Sequence, residues 1–519
     1  MTRYQPLPEV LAAGRTTIGD LFHRRVPAQP TRLAVIDGKR ALSYAELDER
    51  SNRLAHALGA RGLTRGARVA VLARNCLEYL EIELAAAKIG VIVAALNWRL
   101  GERELTHSVQ LVAPALLIVQ AELCASIEQL DLPPLPRIVL GADYERVLAG
   151  ANHSYPTVEV DPEDGLVVLY TSGTTGLPKG AMISHRAMLA RAMCYSAELL
   201  VPVGDHFIAW APLYHMASTD QSLATLLRGG TVHIIDGYLP EQLMAVIEQH
   251  TMRFLILMPG MVGSFAQAVA DSGIKVKGIG VCGAMADLVP REEIALATRV
   301  FNAPYNNTFG ATETGLPPAT GSTLPIGVIP TSLAKRQSAF CDLRLVDADD
   351  NDVADGTPGE AAVRGPTLFS GYWNADATNA VDFRNGWFHM GDVLRRNADG
   401  SLDYVDRVKY MIKSGGENIY PAEIELVLAA DARVNEAVVV RRRDAKWGEV
   451  PVAFVTRADP SVTAAELMER CRRDLSSYKR PKDIIFIDTS ELPRSTTGKI
   501  QRHELETRLK AEGDVPDLR

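Results

Sequence analysis

The segment 165–184 constrains the fold most, because a short apolar run there leads into a loop rich in glycine and threonine. The run 165–170 predicts a buried strand, and Ser184 predicts the N-cap of a helix that begins after it. Between them, residues 170–180 read Tyr-Thr-Ser-Gly-Thr-Thr-Gly-Leu-Pro-Lys-Gly. The loop is therefore placed between regular elements of an α/β arrangement, where its side chains are free to bind a ligand.

The chemistry of this loop suits a pyrophosphate group. It offers three hydroxyls, two glycines that free backbone N–H groups, and one cation: Ser172, Thr174, Thr175, Gly173, Gly176 and Lys179. It is not the loop of kinases and GTPases, in which the lysine directly follows the second glycine, because Leu177 and Pro178 intervene. The alternative interpretation is a surface turn rich in glycine and threonine.

Length and composition exclude several classes of protein. A chain of 519 residues that is 47% hydrophobic is long enough for two or more domains. Its six cysteines lie far apart without a C-x-x-C pair, which predicts neither a zinc site nor a disulfide framework and favours the cytoplasm. The N-terminus lacks a signal-peptide pattern, and the apolar stretch 85–96 is too short for an integral membrane segment. The net charge of −8 argues against nucleic-acid binding.

The order of the apolar and helix-like segments predicts an α/β fold. Short apolar runs alternate with helix-like stretches, as at 45–60, 67–73, 113–119, 240–249 and 254–258. This order favours a large N-terminal domain of mostly parallel sheets flanked by helices. Residues 342–364 change to short alternating strands, which predict a small β-rich subdomain. We place a domain boundary near Lys409, with an N-terminal domain at 1–408 and a small, mobile α+β domain at 409–519.

Four further segments carry candidate chemistry, and three of them have a plainer alternative. Glu313 follows a Gly-Ala turn and is a candidate ligand of a hard cation, or else the start of a helix. Asp392 ends an aromatic strand and is a candidate for binding ribose hydroxyls, or else caps a turn. The pair Gly415-Gly416 lets another molecule approach the backbone, and Lys499 lies on a Gly-hinged loop, where a lone lysine is normally solvated.

Taken together, in this order, these segments resemble the adenylate-forming superfamily of acyl- and aryl-CoA synthetases, luciferases and peptide-synthetase adenylation domains. The resemblance covers nearly the whole chain and includes the segments 41–47, 96–100, 212–216 and 447–449. It implies a two-step ligase that uses ATP, Mg²⁺ and CoA. A carboxylate attacks the α-phosphate of ATP and pyrophosphate leaves; a thiol then attacks the acyl-adenylate.

The resemblance also implies roles for residues on the nucleotide side. The loop from Thr171 to Gly180 would hold the leaving phosphates, Glu313 and Thr175 the metal, and Thr312 the nucleotide. Asp392 with Arg407 would fix the ribose. The adenine and carboxylate wall would be formed by Gly283, Ala284, Asn307, Thr308, Phe309 and Gly310.

By the same resemblance, Lys499 would neutralise the charge that gathers between the incoming carboxylate and the α-phosphate. It would then leave so that the thiol can enter, which requires the C-terminal domain to swing about Lys409. Residues Lys413, Gly415 and Gly416 would lie against the bound nucleotides.

The sequence constrains the thiol acceptor and the carboxylic acid less than it constrains the nucleotide site. Trp447, Arg480 and Lys482 match positions that touch CoA in aryl-CoA ligases, and 441–443 add positive charge; the alternative is a solvated basic face. His215 stands where amino-acid-activating domains carry an acid, which disfavours an amino-acid substrate, with Asp220 the nearby reservation.

The acyl pocket would be lined by His215, Met216, Met258, Phe309 and Gly310, although methionines and aromatics at such spacing also occur in ordinary cores. His215 would either gate the tunnel for the CoA arm or be hydrogen-bonded within the fold. The leading hypothesis is an ATP-dependent acyl-CoA ligase for a hydrophobic carboxylic acid. The alternatives are an enzyme that loads a carrier-protein phosphopantetheine and an inactive nucleotide-binding homologue. The sequence leaves room for a homodimer.

Overall fold

The structure is a computed structural model that describes residues 7–172, 177–414, 417–494 and 500–511, without the side chains of residues 11–13, 172, 510 and 511. Its contacts divide the chain into two units. The first comprises Met1–Leu343 and Val363–Phe388, and the second comprises Arg344–Ala362 and His389–Arg519. The boundary near Lys409 stays a prediction of the sequence.

The α-helices of the described residues are α1 (Pro8–Gly14), α2 (Ile18–Arg25), α3 (Tyr44–Ala60), α4 (Leu77–Ile89), α5 (Glu102–Val112), α6 (Cys124–Glu128), α7 (Ala142–Ala149), α8 (His185–Glu198), α9 (Met216–Leu227), α10 (Pro240–Gln249), α11 (Val262–Ser272), α12 (Arg291–Phe301), α13 (Asp376–Asp382), α14 (Pro421–Ala429), α15 (Ala464–Asp474) and α16 (Arg502–Ala511).

The strands of the same residues are β1 (Leu33–Asp37), β2 (Arg40–Ser43), β3 (Arg68–Leu72), β4 (Ile92–Ala95), β5 (Leu116–Val119), β6 (Arg137–Val139), β7 (Gly165–Ser172), β8 (Pro178–Ser184), β9 (His206–Ala209), β10 (Thr231–Ile234), β11 (Met252–Leu255), β12 (Ile279–Cys282), β13 (Tyr305–Asn306), β14 (Phe309–Ala311), β15 (Gly315–Ala319), β16 (Thr323–Leu324), β17 (Asp342–Val346), β18 (Pro358–Arg364), β19 (Phe388–Arg396), β20 (Leu402–Arg407), β21 (Ile412–Ser414), β22 (Glu417–Ile419), β23 (Val434–Asp444), β24 (Gly448–Arg457) and β25 (Asp483–Phe486).

The first unit contains three sheets with parallel interiors, in the orders β6-β5-β3-β4-β7-β8, β2-β1-β10-β9 and β11-β12-β13-β16. Each sheet ends in one antiparallel edge strand, which is β8, β2 or β16. Strands β4 and β5 are buried along their whole length, as expected for parallel strands covered on both faces. The prediction of mostly parallel sheets flanked by helices is confirmed.

The apolar stretch noted in the sequence is a core helix and the strand that follows it. Every residue of α4 is buried, and its Lys88 Nζ lies 2.8 Å from the Oδ1 of Asp48. A buried lysine needs such a partner, because an unpaired ammonium in the interior is costly. No helix of the described residues is both long enough and apolar enough to cross a bilayer.

The second unit is of α+β type. Strands β17–β20 form one four-stranded sheet, which extends the predicted β-rich segment to Arg407. A second sheet has the order β22-β21-β24-β23, with β25 paired to β24. Alternate residues of β23 enter different cores: Val439 packs with α14 and α15, whereas Val438 and Val440 pack with α16. This period of two is what a strand covered on both faces requires.

Candidate active site

The glycine- and threonine-rich loop connects two antiparallel strands. Strands β7 and β8 pair so that Thr171 lies opposite Lys179, and Ser184 at the end of β8 caps α8 by accepting from the Ala187 N–H at 3.2 Å. The predicted strand and N-cap are confirmed. Strand β8 separates the loop from the helix, so the N-terminus of α8 does not directly follow the loop.

Several predicted phosphate-binding groups lie outside the described residues. These are Gly173, Thr174, Thr175, Gly176 and the side chain of Ser172. The base of the loop is described, and α5 supports it: Tyr170 donates its hydroxyl to the Ser108 carbonyl at 2.7 Å, and His107 Nε2 lies 3.1 Å from the Pro178 carbonyl oxygen. The strands below the loop are therefore anchored to a neighbouring helix.

A cluster of Lys179, Tyr372 and Glu313 forms beside this hairpin. The Lys179 Nζ lies 4.5 Å from the centroid of the Tyr372 ring and 3.6 Å from Oδ2 of Asp382. The Tyr372 hydroxyl donates to Oε1 of Glu313 at 2.8 Å. A cation at the phosphate loop is thus joined through one tyrosine to the candidate metal-binding carboxylate. We call these three residues the Lys–Tyr–Glu cluster.

Tyr372 was missed by the sequence analysis, because it reaches the cluster through long-range pairing. The segment 369–373 runs beside β8, where Trp373 N donates to Gly180 O at 2.8 Å and Met182 N donates to Gly371 O at 3.0 Å. The one local signal is an aromatic pair after a glycine, which predicts no partner. The contact is specified by the edge of the sheet rather than by any short motif.

Glu313 lies in a hairpin turn and does not begin a helix. Strands β14 and β15 pair antiparallel on either side of it, and the Ala311 N–H donates to Thr314 Oγ1 at 3.0 Å. The carbonyl of Thr312 accepts from Arg191 Nη2 at 2.8 Å. The alternative of a helix start is therefore wrong, and the turn fixes the Thr312–Glu313 pair from both sides.

The predicted adenine wall is tightly built. Gly283 has φ +76°, and a Cβ there would lie 2.1 Å from the Tyr305 ring. The hydroxyl of Tyr305 donates to Ala284 O at 2.9 Å. A Cβ on Gly310 would lie 2.1 Å from the Gly315 carbonyl oxygen, and Thr308 donates to Ala319 O at 2.9 Å. Only glycine fits at both closely approached positions.

Asn307 of this wall and the neighbouring Asn306 have unsatisfied polar atoms. The Nδ2 of Asn307 donates to Leu333 O at 2.9 Å. Within the described part of the chain, Oδ1 of Asn307 and both side-chain polar atoms of Asn306 are buried without a hydrogen-bond partner. A buried polar atom left unpaired costs about 1–3 kcal/mol. Water or a polar ligand would remove this cost, which fits the expected place of a nucleotide base.

The predicted acyl-pocket residues are half-buried rather than core residues. His215, Met216, Met258 and Phe309 all have intermediate exposure, and Gly310 is exposed. His215 is the N-cap of α9, and its Nδ1 accepts from the Ala217 N–H at 3.2 Å. It is thus hydrogen-bonded within the fold, while its role as a gate stays a prediction.

Asp220 is already paired with a buried cation. Its Oδ2 accepts from Arg191 Nη1 at 3.1 Å, and the two side chains are 5% and 2% exposed. Burial raises the pKa of Asp220 and Arg191 lowers it. Arg191 therefore already balances the single charge of this carboxylate, while Oδ1 of Asp220 is buried without a hydrogen-bond partner among the described residues.

In the second unit, Asp392 and Arg407 face each other on β19 and β20 and form a two-pronged ion pair. The Nε and Nη2 of Arg407 donate to the two oxygens of Asp392 at 2.7 and 3.0 Å. Asp392 is 3% exposed. A carboxylate has further lone pairs, so the pair leaves acceptors for ribose hydroxyls. The ion pair brings together the two residues that the resemblance assigned to the ribose. Ribose binding itself stays a prediction.

The residues expected to bind CoA differ in their exposure and in the partners that their side chains already have. Trp447 is 42% exposed, and Lys482 is also exposed. Arg480 is held by two backbone carbonyls, those of Leu475 and Arg472, at 3.1 and 3.0 Å. Arg441 pairs with Glu506 at 3.0 Å, and Arg442 pairs with Asp483. Acidic partners therefore weaken the basic character of residues 441–443.

The remaining predicted residues are only partly described. Lys409 lies in a short 3₁₀ turn, and its carbonyl accepts from Arg441 Nη2 at 3.1 Å. The backbone N–H of Lys413 donates to Glu449 Oε2 at 2.9 Å. Gly415, Gly416 and Lys499 lie outside the described residues. The hinge and the catalytic lysine therefore stay predictions.

Two family models match the chain: AMP-binding enzyme over residues 22–373, and AMP-binding enzyme C-terminal domain over residues 423–499. A feruloyl-CoA synthase of Amycolatopsis sp. is 34% identical over 94% of this chain and 98% of its own length. An indoleacetate–CoA ligase of Aromatoleum aromaticum is 31% identical over 94% of this chain and 97% of its own. The structure of ATP-bound MatB from Rhodopseudomonas palustris is 26% identical with a TM-score of 0.81, covering 95% of this chain and 99% of that one.

The fold, the site and these matches define a member of the adenylate-forming superfamily. Within that superfamily, the chain belongs to the acyl-CoA synthetase/ligase family, and it is an AMP-forming acid–thiol ligase. The resemblance stated from the sequence is confirmed.

Proposed function

We propose that this protein is an ATP-dependent acyl-CoA ligase for a hydrophobic carboxylic acid. In the first step a carboxylate oxygen attacks the α-phosphorus of ATP, the bond to the β-phosphate oxygen breaks, and pyrophosphate leaves. In the second step the CoA sulfur attacks the acyl carbon, the bond to the AMP oxygen breaks, and the thiol proton passes to solvent. The Lys–Tyr–Glu cluster is the observation that carries the proposal.

The cluster fits the first step because it places a cation and a carboxylate on either side of one phenol. Lys179 would bind the leaving phosphates as a point charge. Glu313 fits a magnesium ligand, since carboxylate oxygens are what Mg²⁺ prefers and Tyr372 occupies only one lone pair. Bound Mg²⁺ would offset the negative charge of the phosphates. Thr175 is its other proposed ligand.

Lys499 and Lys409 keep the roles that the family resemblance implies for them. We assign Lys499 to stabilising the charge that develops during adenylation. We assign Lys409 to the pivot on which the C-terminal part of the chain turns before thiolysis. Asp392 and Arg407 would bind the ribose, and Trp447, Arg480 and Lys482 would bind CoA.

Two observations support an apolar acid without an ammonium group. His215 stands at the position of the expected counter-charge, and the nearby Asp220 is paired with Arg191. An ammonium group there would have to share the single negative charge of Asp220 with Arg191, which leaves one buried positive charge uncompensated and is costly. Two relatives are named for aromatic acids, ferulate and indoleacetate, so aryl acids belong in the first substrate panel. We also propose that the enzyme lies in the cytoplasm and that it forms a homodimer.

A panel of aryl, arylalkyl and aliphatic acids, incubated with ATP, Mg²⁺ and CoA, tests the proposal. Formation of AMP and acyl-CoA in equal amounts with one of these acids is the expected result. The Glu313→Gln variant should lower the rate by about 100-fold, by analogy with losing one preorganised charge. Glu292→Gln, an exposed change on α12, is the matched control.

Three outcomes would contradict the proposal. Formation of ADP would refute adenylation. AMP release that requires a phosphopantetheinyl carrier protein, with no product from free CoA, would favour the carrier-loading alternative. Nucleotide binding without turnover of any acid would favour an inactive homologue.

A further inference from the structure

Three histidines from separate elements meet in the first unit, and none of them has been assigned a role above. His206 begins β9, His233 lies on β10, and His250 follows α10. One ring nitrogen from each lies within 4.8 Å of the others, and His206 Nδ1 is 2.9 Å from His233 Nε2. The trio has no short sequence motif, because it is assembled by sheet pairing between β9 and β10.

We propose that His206, His233 and His250 form a binding site for a borderline transition-metal ion such as Zn²⁺ or Ni²⁺. In a tetrahedral site with Zn–N bonds of about 2.0–2.1 Å, the ligand nitrogens lie roughly 3.3 Å apart. The shortest pair is already close to that spacing. The ring torsion of histidine is broad, so rotation of the two half-buried rings brings the third nitrogen in at low cost.

The ligand set determines which ions the site accepts. Imidazole nitrogens suit Zn²⁺, Cu²⁺ and Ni²⁺, whereas Mg²⁺ and Ca²⁺ require oxygen ligands, so the Mg²⁺ that accompanies ATP is not a competitor. Neutral rings keep the lone pairs that a metal needs.

The residues around the histidine trio limit its affinity for a metal ion. Arg32 and Lys277 both act electrostatically on His206, and their positive charges also oppose a divalent cation. Among the described residues the group consists of these three histidines alone, so water would complete a four-coordinate ion. Affinity should therefore be lower than at a structural site with thiolate ligands.

The location indicates a stabilising role. His206 begins β9, whereas the segment 210–216 of the expected acyl pocket leaves from the carboxyl end of the same strand. Ligands of parallel sheets bind at the carboxyl ends of the strands, and His206 lies at the opposite, amino end of β9. A bound ion would join β9, β10 and the connection after α10, three segments that otherwise meet through hydrogen bonds and ring contacts.

The test is a calorimetric titration of the full-length, chelator-treated protein with Zn²⁺ and separately with Ni²⁺, without ATP or Mg²⁺. About one equivalent should bind. The variants His206→Gln and His250→Gln should each weaken binding by about 100-fold, since they remove direct ligands. His153→Gln, an exposed histidine elsewhere in the first unit, should bind as the wild type does.

Thermal unfolding provides a second readout. Zn²⁺ should raise the unfolding midpoint of the wild type and of His153→Gln, and leave His250→Gln unchanged. His233 is 5% exposed and is left intact so that the variants fold. Absence of saturable binding to the wild type would overturn the proposal. Equal affinity in the wild type and both ligand variants would also overturn it, because the metal would then bind elsewhere.

Discussion

At the scale of single residues, Tyr372 connects two charged groups that are far apart in the sequence. Its ring makes a cation–π contact with the Lys179 ammonium group, and its hydroxyl donates a hydrogen bond to Oε1 of Glu313. A cation–π contact contributes about 0.5–2 kcal/mol, and a hydrogen bond to a charged group about 1.5–3 kcal/mol. One side chain therefore contacts both the cation proposed to bind phosphate and the carboxylate proposed to hold magnesium.

Replacing Tyr372 by Phe tests the hydroxyl separately from the ring. We expect exchange of labelled pyrophosphate into ATP to fall by about 10-fold, because loss of one charge-assisted hydrogen bond corresponds to about 1.5 kcal/mol. The measurement is that exchange at saturating acid. Tyr478→Phe, at a tyrosine that is 42% exposed, is the control. An unchanged rate in Tyr372→Phe would remove the hydroxyl from the mechanism.

A buried carboxyl group in the core of the first unit makes stability depend on pH. Glu83 is 2% exposed, and burial raises its pKa to about 8, offset in part by the hydrogen bond that Thr219 donates to Oε1 at 3.2 Å. The charge of Asp220 raises it further. The folded protein thus holds a proton that the unfolded chain releases near its ordinary pKa of 4.5.

The sign of the pH effect follows from that proton. Between pH 4.5 and about 8 Glu83 binds more proton in the folded state than in the unfolded state, so its contribution to stability falls as pH rises, by at most about 1.4 kcal/mol per pH unit. Glu83→Gln should flatten this dependence, and Glu122→Gln, at an exposed site, should not. Urea unfolding midpoints at pH 5, 6, 7 and 8 measure it. Parallel curves for wild type and Glu83→Gln would contradict the assignment.

At the scale of elements, tight turns position the residues that are expected to bind the nucleotide. Gly283 leaves β12 with φ +76° directly against the Tyr305 ring, and the β14–β15 hairpin presents Glu313 from a turn. These connections tolerate few side chains, because backbone or ring atoms occupy the place of a Cβ. The geometry of the adenine wall therefore depends on backbone conformation more than on side-chain identity.

The variant Gly283→Ala measures that dependence. The new methyl group would meet Tyr305 at 2.1 Å in addition to the positive-φ strain, so we expect a destabilisation of about 2–4 kcal/mol and a raised KM for ATP. Gly237→Ala is a matched control, since Gly237 has φ +91° with nothing within 4 Å of a Cβ. Equal effects of the two changes would show that strain alone accounts for the loss.

The elements that the sequence predicted are those with local signals. Helix α10 begins and ends at residues 240 and 249 as predicted, and Ser184 caps α8. Strand β8 was not predicted, because Pro178, Lys179 and Gly180 lack β-propensity and the strand is stabilised by pairing with β7 and the segment 369–373. The contacts of Tyr372 and of the histidine trio were not predicted for the same reason, because long-range pairing leaves no local pattern in the sequence.

At the scale of the whole molecule, the candidate groups are shared between the two units. The Lys–Tyr–Glu cluster and the adenine wall belong to the first unit, and the Asp392–Arg407 pair with the CoA-binding candidates belongs to the second. The sequence analysis placed Asp392 and Arg407 before its boundary near Lys409, and that boundary stays a prediction, because the position and energetics of a hinge depend on contacts that a motif does not encode.

Two variants separate the proposed steps. Lys499→Ala should lower adenylate formation by about 100-fold or more yet leave thiolysis of a supplied acyl-adenylate intact. Lys409→Pro should instead impair thiolysis, because proline fixes φ at the pivot. Lys409→Ala is its control, since it removes the charge but keeps backbone rotation. Equal loss of both steps in Lys499→Ala, or unimpaired thiolysis in Lys409→Pro, would contradict the assigned roles.

The central claim is that the acid is activated as a mixed anhydride with AMP. Acid labelled with ¹⁸O in its carboxylate, turned over with ATP and CoA, tests it by mass spectrometry of the nucleotide product. One labelled oxygen should appear in AMP, because attack on the α-phosphorus places that oxygen in the bridge and thiolysis leaves it on the phosphate. Unlabelled AMP, or label in inorganic phosphate together with ADP, would contradict the account.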